Sequence, residues 1–127
     1  MADTPRMTLA GIVLDSPDAT ELAAFYRRLF GWELTHDEPD WAQVRPPSGA
    51  PVLSFQTEPE YERPTWPSDR AHQQMMLHLD ILVDDLDEAG AHAVAAGAVL
   101  AEFQPQEGVR VYLDPAGHPF CLFVEGA

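Results

Sequence analysis

The feature that most constrains this chain is an internal repeat, in which residues of the first half recur in the second at an offset of 66 to 68 positions. Gly11-Ile12-Val13-Leu14 falls on His78-Leu79-Asp80-Ile81, Asp18 on Asp85, and Gly31 on Gly97. Pro47-Ser48-Gly49-Ala50-Pro51 falls on Pro115-Ala116-Gly117-His118-Pro119. The segments between these markers keep one order. An apolar run at residues 9–15 stops at Ser16-Pro17-Asp18, and Leu22, Phe25, Tyr26 and Leu29 then recur at helical spacing over Ala19–Phe30 until Gly31 ends the pattern. Strand-like segments follow at 32–35, Trp41–Arg45 and Val52–Thr57, separated by turn residues. The second half reads as a strand at 76–83, a helix over Leu86–Ala96 closed by Gly97, and strands at 99–103, Val109–Leu113 and 120–124.

The pattern predicts a single α+β domain over 1–127 made of tandem βαβββ modules at 8–57 and 76–125, joined by a linker loop at 58–75 that carries Pro59, Pro64 and Pro67. One such module alone leaves a sheet face bare, so the two must pack together. The expected result is an eight-stranded, incompletely closed barrel around a concave cleft, with the helices outside. At 127 residues the chain can bury a core without disulfides or structural metal.

Charge and inventory exclude several function classes. Asp and Glu number 21 against 7 Arg, with no Lys, for a net charge of -14. Such a surface repels phosphate backbones, so nucleic acid is not an expected partner, and cationic ligands are attracted instead. Without Lys there is neither a Walker phosphate loop nor a Schiff-base lysine. No Gly-x-Ser-x-Gly elbow and no His-Glu-x-x-His helix motif occurs. No apolar stretch approaches the ~18 residues of a membrane span, so no membrane partner is expected. Residues 1–7 lack a signal-peptide core, Asn is absent, and Cys121 has no intramolecular partner; a cytoplasmic location is the expectation.

Strand alternation puts His78, Asp80 and Leu82 on one face and Leu79, Ile81 and Val83 on the helix-packed other. His78 and Asp80 are therefore candidates for an acid–base or hydrogen-bonding pair in the cleft, the plainer reading being a His that fills a cavity. Cys121, within Phe120-Cys121-Leu122-Phe123-Val124, reads either as a small buried hydrophobe or as a pocket thiol and soft ligand beside His78. Trp66, set between Pro64 and Pro67, is a candidate lid, or else a plug between units or in a dimer interface. Phe55, Tyr112 and Phe123, with Cys121 and Trp66, are the expected ligand-binding wall.

These residues carry a family resemblance. Asp18, Phe25-Tyr26 and Leu29-Phe30-Gly31-Trp32 in the first unit, His78-Leu79-Asp80 and Val83-Asp84-Asp85-Leu86 in the second, and Asp114-Pro115-Ala116-Gly117-His118-Pro119-Phe120 resemble the vicinal oxygen chelate superfamily, the glyoxalase, bleomycin-resistance and extradiol-dioxygenase group. The resemblance covers nearly the whole chain. It implies a homodimer, and it implies a divalent metal held by one side chain from the first and last strand of each unit. Those positions fall here on Gly11, Leu53, His78 and Cys121, so the expectation is no complete metal centre; a divalent metal would require His78 with relocated ligands, Glu125 or Gln56. The functional expectation is a glyoxalase-like protein that binds a small apolar or aromatic molecule in its cleft, as in drug resistance by sequestration. The alternative is a metal-dependent lyase, isomerase or dioxygenase of the glyoxalase group.

Overall fold

A computed structural model describes residues 4–127. The elements run β1 (Gly11–Ser16), α1 (Ala19–Phe30), β2 (Glu33–Glu38), β3 (Trp41–Arg45), β4 (Val52–Thr57), β5 (Leu79–Leu82), α2 (Leu86–Ala96), β6 (Val99–Leu100), β7 (Val109–Leu113) and β8 (Pro119–Phe123). The eight strands form two separate four-stranded sheets of the same topology, β1-β4-β3-β2 and β5-β8-β7-β6, and do not close into a barrel. In each sheet the first strand pairs in parallel with the fourth, and the remaining pairs are antiparallel.

Both helices have the boundaries their caps dictate. The Asp18 side chain accepts from the Glu21 N–H at 3.2 Å, and the Asp85 side chain accepts from the Glu88 N–H at 2.9 Å. Gly31 ends α1 in the left-handed conformation at φ 72°, where its N–H returns to the Arg27 carbonyl. Strand ends depart from the sequence reading wherever their pairing partners run out. β6 stops at Leu100 rather than at residue 103 because Gln104 replaces the ladder: its side chain accepts from the Val111 N–H and donates to the Ala101 and Val111 carbonyls. β5 begins at Leu79 rather than at residue 76, since its partner β8 starts at Pro119 and the preceding His118 is drawn into a turn with Asp114. β2 extends to Glu38 through an irregularity between Leu34 and His36.

One core serves both halves. Leu14, Ala42, Val44, Leu53 and Phe55 from the first sheet meet Phe120 and Leu122 from the second beneath the helices. Phe25 and Tyr26 of α1 join them: Tyr26 stacks on Phe55 with ring centroids 5.5 Å apart, and Phe25 lies 6.0 Å from Phe120. All four rings are fully buried, and burial of each such side chain contributes about 1.5–3 kcal/mol. The Arg28 guanidinium donates twice to the Ala96 carbonyl, and His92 Nε2 donates to the Leu29 carbonyl, so the helices are also tied to each other. The opposite face of each sheet carries no helix, and exposed there are Val13 and Leu82.

Candidate functional site

On the helix-free face of the second sheet, parallel pairing places Asp80 of β5 beside Cys121 of β8. His78, two residues before Asp80, shares that face, and its Nε2 lies 3.1 Å from Asp80 Oδ1. Donor atoms of His78, Asp80 and Cys121 all lie within 4.8 Å of one another. The first two are exposed and Cys121 is half-buried. Burial pushes the Cys121 thiol up from its ordinary value, and the charge of Asp80 beside it adds to the shift, so the group is a protonated thiol rather than a ready nucleophile. Phe123 lies on the same face, half-buried and paired with Leu82.

The other proposed wall residues are elsewhere. Phe55 is fully buried against Tyr26, and Tyr112 is buried against Phe120 with its hydroxyl under Gly90 of α2, so both belong to the helix-side core and neither is open to a ligand. Trp66 donates from Nε1 to the Phe103 carbonyl at 3.1 Å and packs on the Phe103 ring, which fastens it to the second half away from the cleft described below.

The residues present do not fit a metal centre drawn from both halves. Leu53, placed at a ligand position by the proline turns, faces the helices; the residue of β4 directed to the helix-free side is Ser54, itself buried. The reason is that β8 starts at the second proline of its turn, Pro119, whereas β4 starts one residue after Pro51, and a one-residue slip exchanges the faces of a strand. Ser54 Oγ already accepts from Gln43 Nε2 at 2.9 Å. Gly11 has no donor, and a Cβ there would lie 3.0 Å from Val52 Cγ2. Gln56 is on the first sheet with its amide donating to Asp15, and Glu125 is exposed beyond the end of β8, outside the His78 group.

A cleft of about 740 Å³ opens between β1, β4 and the linker. Val13, Tyr61, Met75, Met76 and Leu77 give it apolar surface; Asp15, Glu58, Glu60 and Glu62 give it negative charge, and no Arg lines it. Gln56, Gln73, Gln74 and His118 supply the rest of its polar wall, and His118 is a residue the sequence marked only by its turn motif. His118 Nδ1 donates to Asp114 Oδ2 at 2.8 Å, and the same carboxylate oxygen accepts from the Tyr26 hydroxyl at 2.8 Å. The backbone N–H groups of Ala116 and His118 satisfy Oδ1 at 2.9 Å each. Tyr61 closes the network by donating to the Ala116 carbonyl at 2.7 Å, with its oxygen 3.3 Å from His118 Nε2. The signal available in sequence was an Asp and a His four apart around a Pro-x-Gly turn, but the tyrosines that complete the network are 88 and 55 residues from their partners.

Comparison with known proteins gives one family: a glyoxalase-like domain profile matches residues 11–123. Similar solved folds include a glyoxalase/bleomycin resistance/dioxygenase family enzyme from Burkholderia phytofirmans (TM-score 0.69, 18% identity, covering 93% of this chain and 98% of that one). A lactoylglutathione lyase from Agrobacterium tumefaciens superposes with TM-score 0.62 at 18% identity, over 96% of each chain. An antibiotic binding protein from Streptomyces superposes with TM-score 0.63 at 19% identity, over 95% of this chain and 98% of that one. No curated protein matches the sequence. No helix among the described residues is long and apolar enough to cross a membrane.

Proposed function

Given that the chain belongs to the glyoxalase-like domain family of the vicinal oxygen chelate superfamily, we propose that it is a cytoplasmic, homodimeric binding protein whose cleft sequesters a small apolar or aromatic molecule, preferentially a cationic one. The observation that carries this reading is the cleft itself: about 740 Å³, apolar on one part of its wall, with four carboxylates, three glutamines and His118 on the rest and no arginine among the described residues that line it. Binding sites of this kind take shape complementarity from apolar side chains and orientation from a few polar groups. A protein of net charge -14 adds long-range attraction for a cation. The similarity in fold to an antibiotic binding protein from Streptomyces supports the reading of a small-molecule binder.

A matched pair of probes tests the proposal. Tetraphenylphosphonium should raise the melting temperature in a concentration-dependent way, because a ligand bound only to the native state stabilises it by mass action. Its isostere tetraphenylborate, of opposite charge, should not. Glu60→Gln with Glu62→Gln should weaken the response to the cation. Equal shifts with both ions, or none with either, would overturn the reading. A metal-dependent lyase, isomerase or dioxygenase is favoured by one observation, the convergence of His78, Asp80 and Cys121. It is opposed by Gly11 and Ser54, which leave the first half without a ligand.

A further inference from the structure

We propose that His118 and Tyr61 form a pair of hydrogen-bond acceptors in the cleft wall, and that this pair selects a ligand whose cationic group carries N–H bonds, an apolar or aromatic primary or secondary ammonium. The proposal rests on the cleft reading above and narrows it from cations in general to N–H cations.

The placement of protons carries the argument. The buried Asp114 carboxylate accepts from the Ala116 and His118 backbone N–H groups and from the Tyr26 hydroxyl. An ionised carboxylate has no hydrogen to give, so its 2.8 Å contact with His118 Nδ1 puts the imidazole proton on Nδ1 and leaves a lone pair on Nε2. Nε2 meets the Tyr61 oxygen at 3.3 Å. The one proton of that hydroxyl goes to the Ala116 carbonyl, at the shorter distance of 2.7 Å. Nε2 and the Tyr61 oxygen therefore face each other with lone pairs and no hydrogen between them. Both residues line the cleft. A ligand that covers these acceptors without supplying a donor leaves them unpaired, which costs binding energy.

Geometry and charge set the class of that donor. Acceptors 3.3 Å apart can share one nitrogen lying about 2.9 Å from each, provided that it carries two hydrogens. A protonated primary or secondary amine meets this condition; a hydroxyl and a quaternary ion do not. Negative charge lies near the pair as well: burial, then Asp114, then Asp15 of the cleft wall push the Tyr61 phenol up to about 12. Arg63 acts on Tyr61 in the opposite sense, but its guanidinium is turned to the Pro115 carbonyl at 3.2 Å and does not line the cleft.

Desolvation makes the preference diagnostic. An ammonium loses more hydration on burial than its quaternary counterpart, so a cleft without acceptors would favour the quaternary ion. Calorimetric titration of the full chain at about pH 8, where an ordinary imidazole is unprotonated, compares 2-naphthylmethylammonium with its N,N,N-trimethyl analogue. The primary ammonium should bind about tenfold or more tightly. Tyr61→Phe should remove part of that preference while leaving the affinity for the trimethyl ion unchanged. A long-range proton–nitrogen NMR spectrum of the natural sequence should show His118 protonated on Nδ1 alone. Its Nε2 resonance should move upfield with the primary ammonium and stay in place with the trimethyl ion. If the trimethyl ion binds as well or better, the cleft reading stands and this proposal fails. A proton on Nε2, an Nε2 resonance indifferent to the primary ammonium, or a preference undiminished by Tyr61→Phe would also overturn it. Binding of neither ion would overturn the cleft reading and this proposal together.

Discussion

Asp114 shows most clearly how single residues hold this structure. Its carboxylate is fully buried, and His118 is the only group able to carry positive charge within ion-pair distance among the described residues. Burial of a carboxylate is tolerated only when its oxygens are satisfied, here by two backbone N–H groups, the Tyr26 hydroxyl and His118 Nδ1. Tyr26→Phe removes one donor from a charged acceptor and is expected to cost about 1.5–3 kcal/mol, read as a lower urea midpoint with an unchanged slope. Tyr61 supplies a pH dependence of known sign. Burial, then the charge of Asp114, pushes its phenol up to about 12 from 10.0. In that interval the unfolded chain releases the proton before the native protein does, so stability is fully present below pH 10 and declines as pH rises towards 12. Urea midpoints measured across that range should fall for the natural sequence and fall less for Tyr61→Phe.

At the scale of elements, the helices are specified locally and the strands by their partners. Asp18 and Asp85 cap their helices with side-chain bonds to the third residue beyond, and replacing either by Ala should cost about 1 kcal/mol in thermal or chemical denaturation. Gly90 tests the opposite dependence. It sits mid-helix in α2, where Ala is intrinsically better by about 1 kcal/mol. Yet a Cβ there collides with the Tyr112 hydroxyl, and Tyr112 is held by stacking on Phe120. Gly90→Ala is therefore expected to destabilise by about 1–3 kcal/mol, and a stabilising result would show that Tyr112 can yield. Gln104 makes a related point about strands: one amide side chain bonding the backbone at Ala101 and Val111 ends β6 after two residues.

For the whole molecule, the continuous core predicts that two repeated halves unfold as one. α1 belongs in sequence to the first half, but its Phe25 reaches Phe120 of the second, and Tyr26 reaches both Phe55 and Asp114. Tryptophan fluorescence reports on the first half through Trp32 and Trp41 and on the linker's contact with Phe103 through Trp66; far-ultraviolet circular dichroism reports on both helices. The two signals should give coincident urea transitions. Phe120→Ala, in the second half, should lower both by the same amount, with a cost of about 3–5 kcal/mol. Separated transitions would show that the halves are independent.

What the sequence by itself determined was whatever depends on neighbours along the chain. Helices Ala19–Phe30 and Leu86–Ala96 were legible, with approximate ends, because an Asp cap, an apolar stripe and a terminal Gly are local signals. The face shared by His78 and Asp80 was legible because alternation has a period of two, whereas the place of Cys121 beside Asp80 came from the pairing of β5 with β8. Only the tertiary structure decided which strand ends found partners, that Leu53 points to the helices and Ser54 away from them, and that Phe55 and Tyr112 lie in the core while Trp66 packs on Phe103. It alone built the acidic cleft with Tyr61 and His118 at its wall and the buried Asp114 and Tyr26 behind them. Those contacts join residues dozens of positions apart, and a one-residue difference in where a strand begins reverses every side chain along it, so no local pattern encodes them.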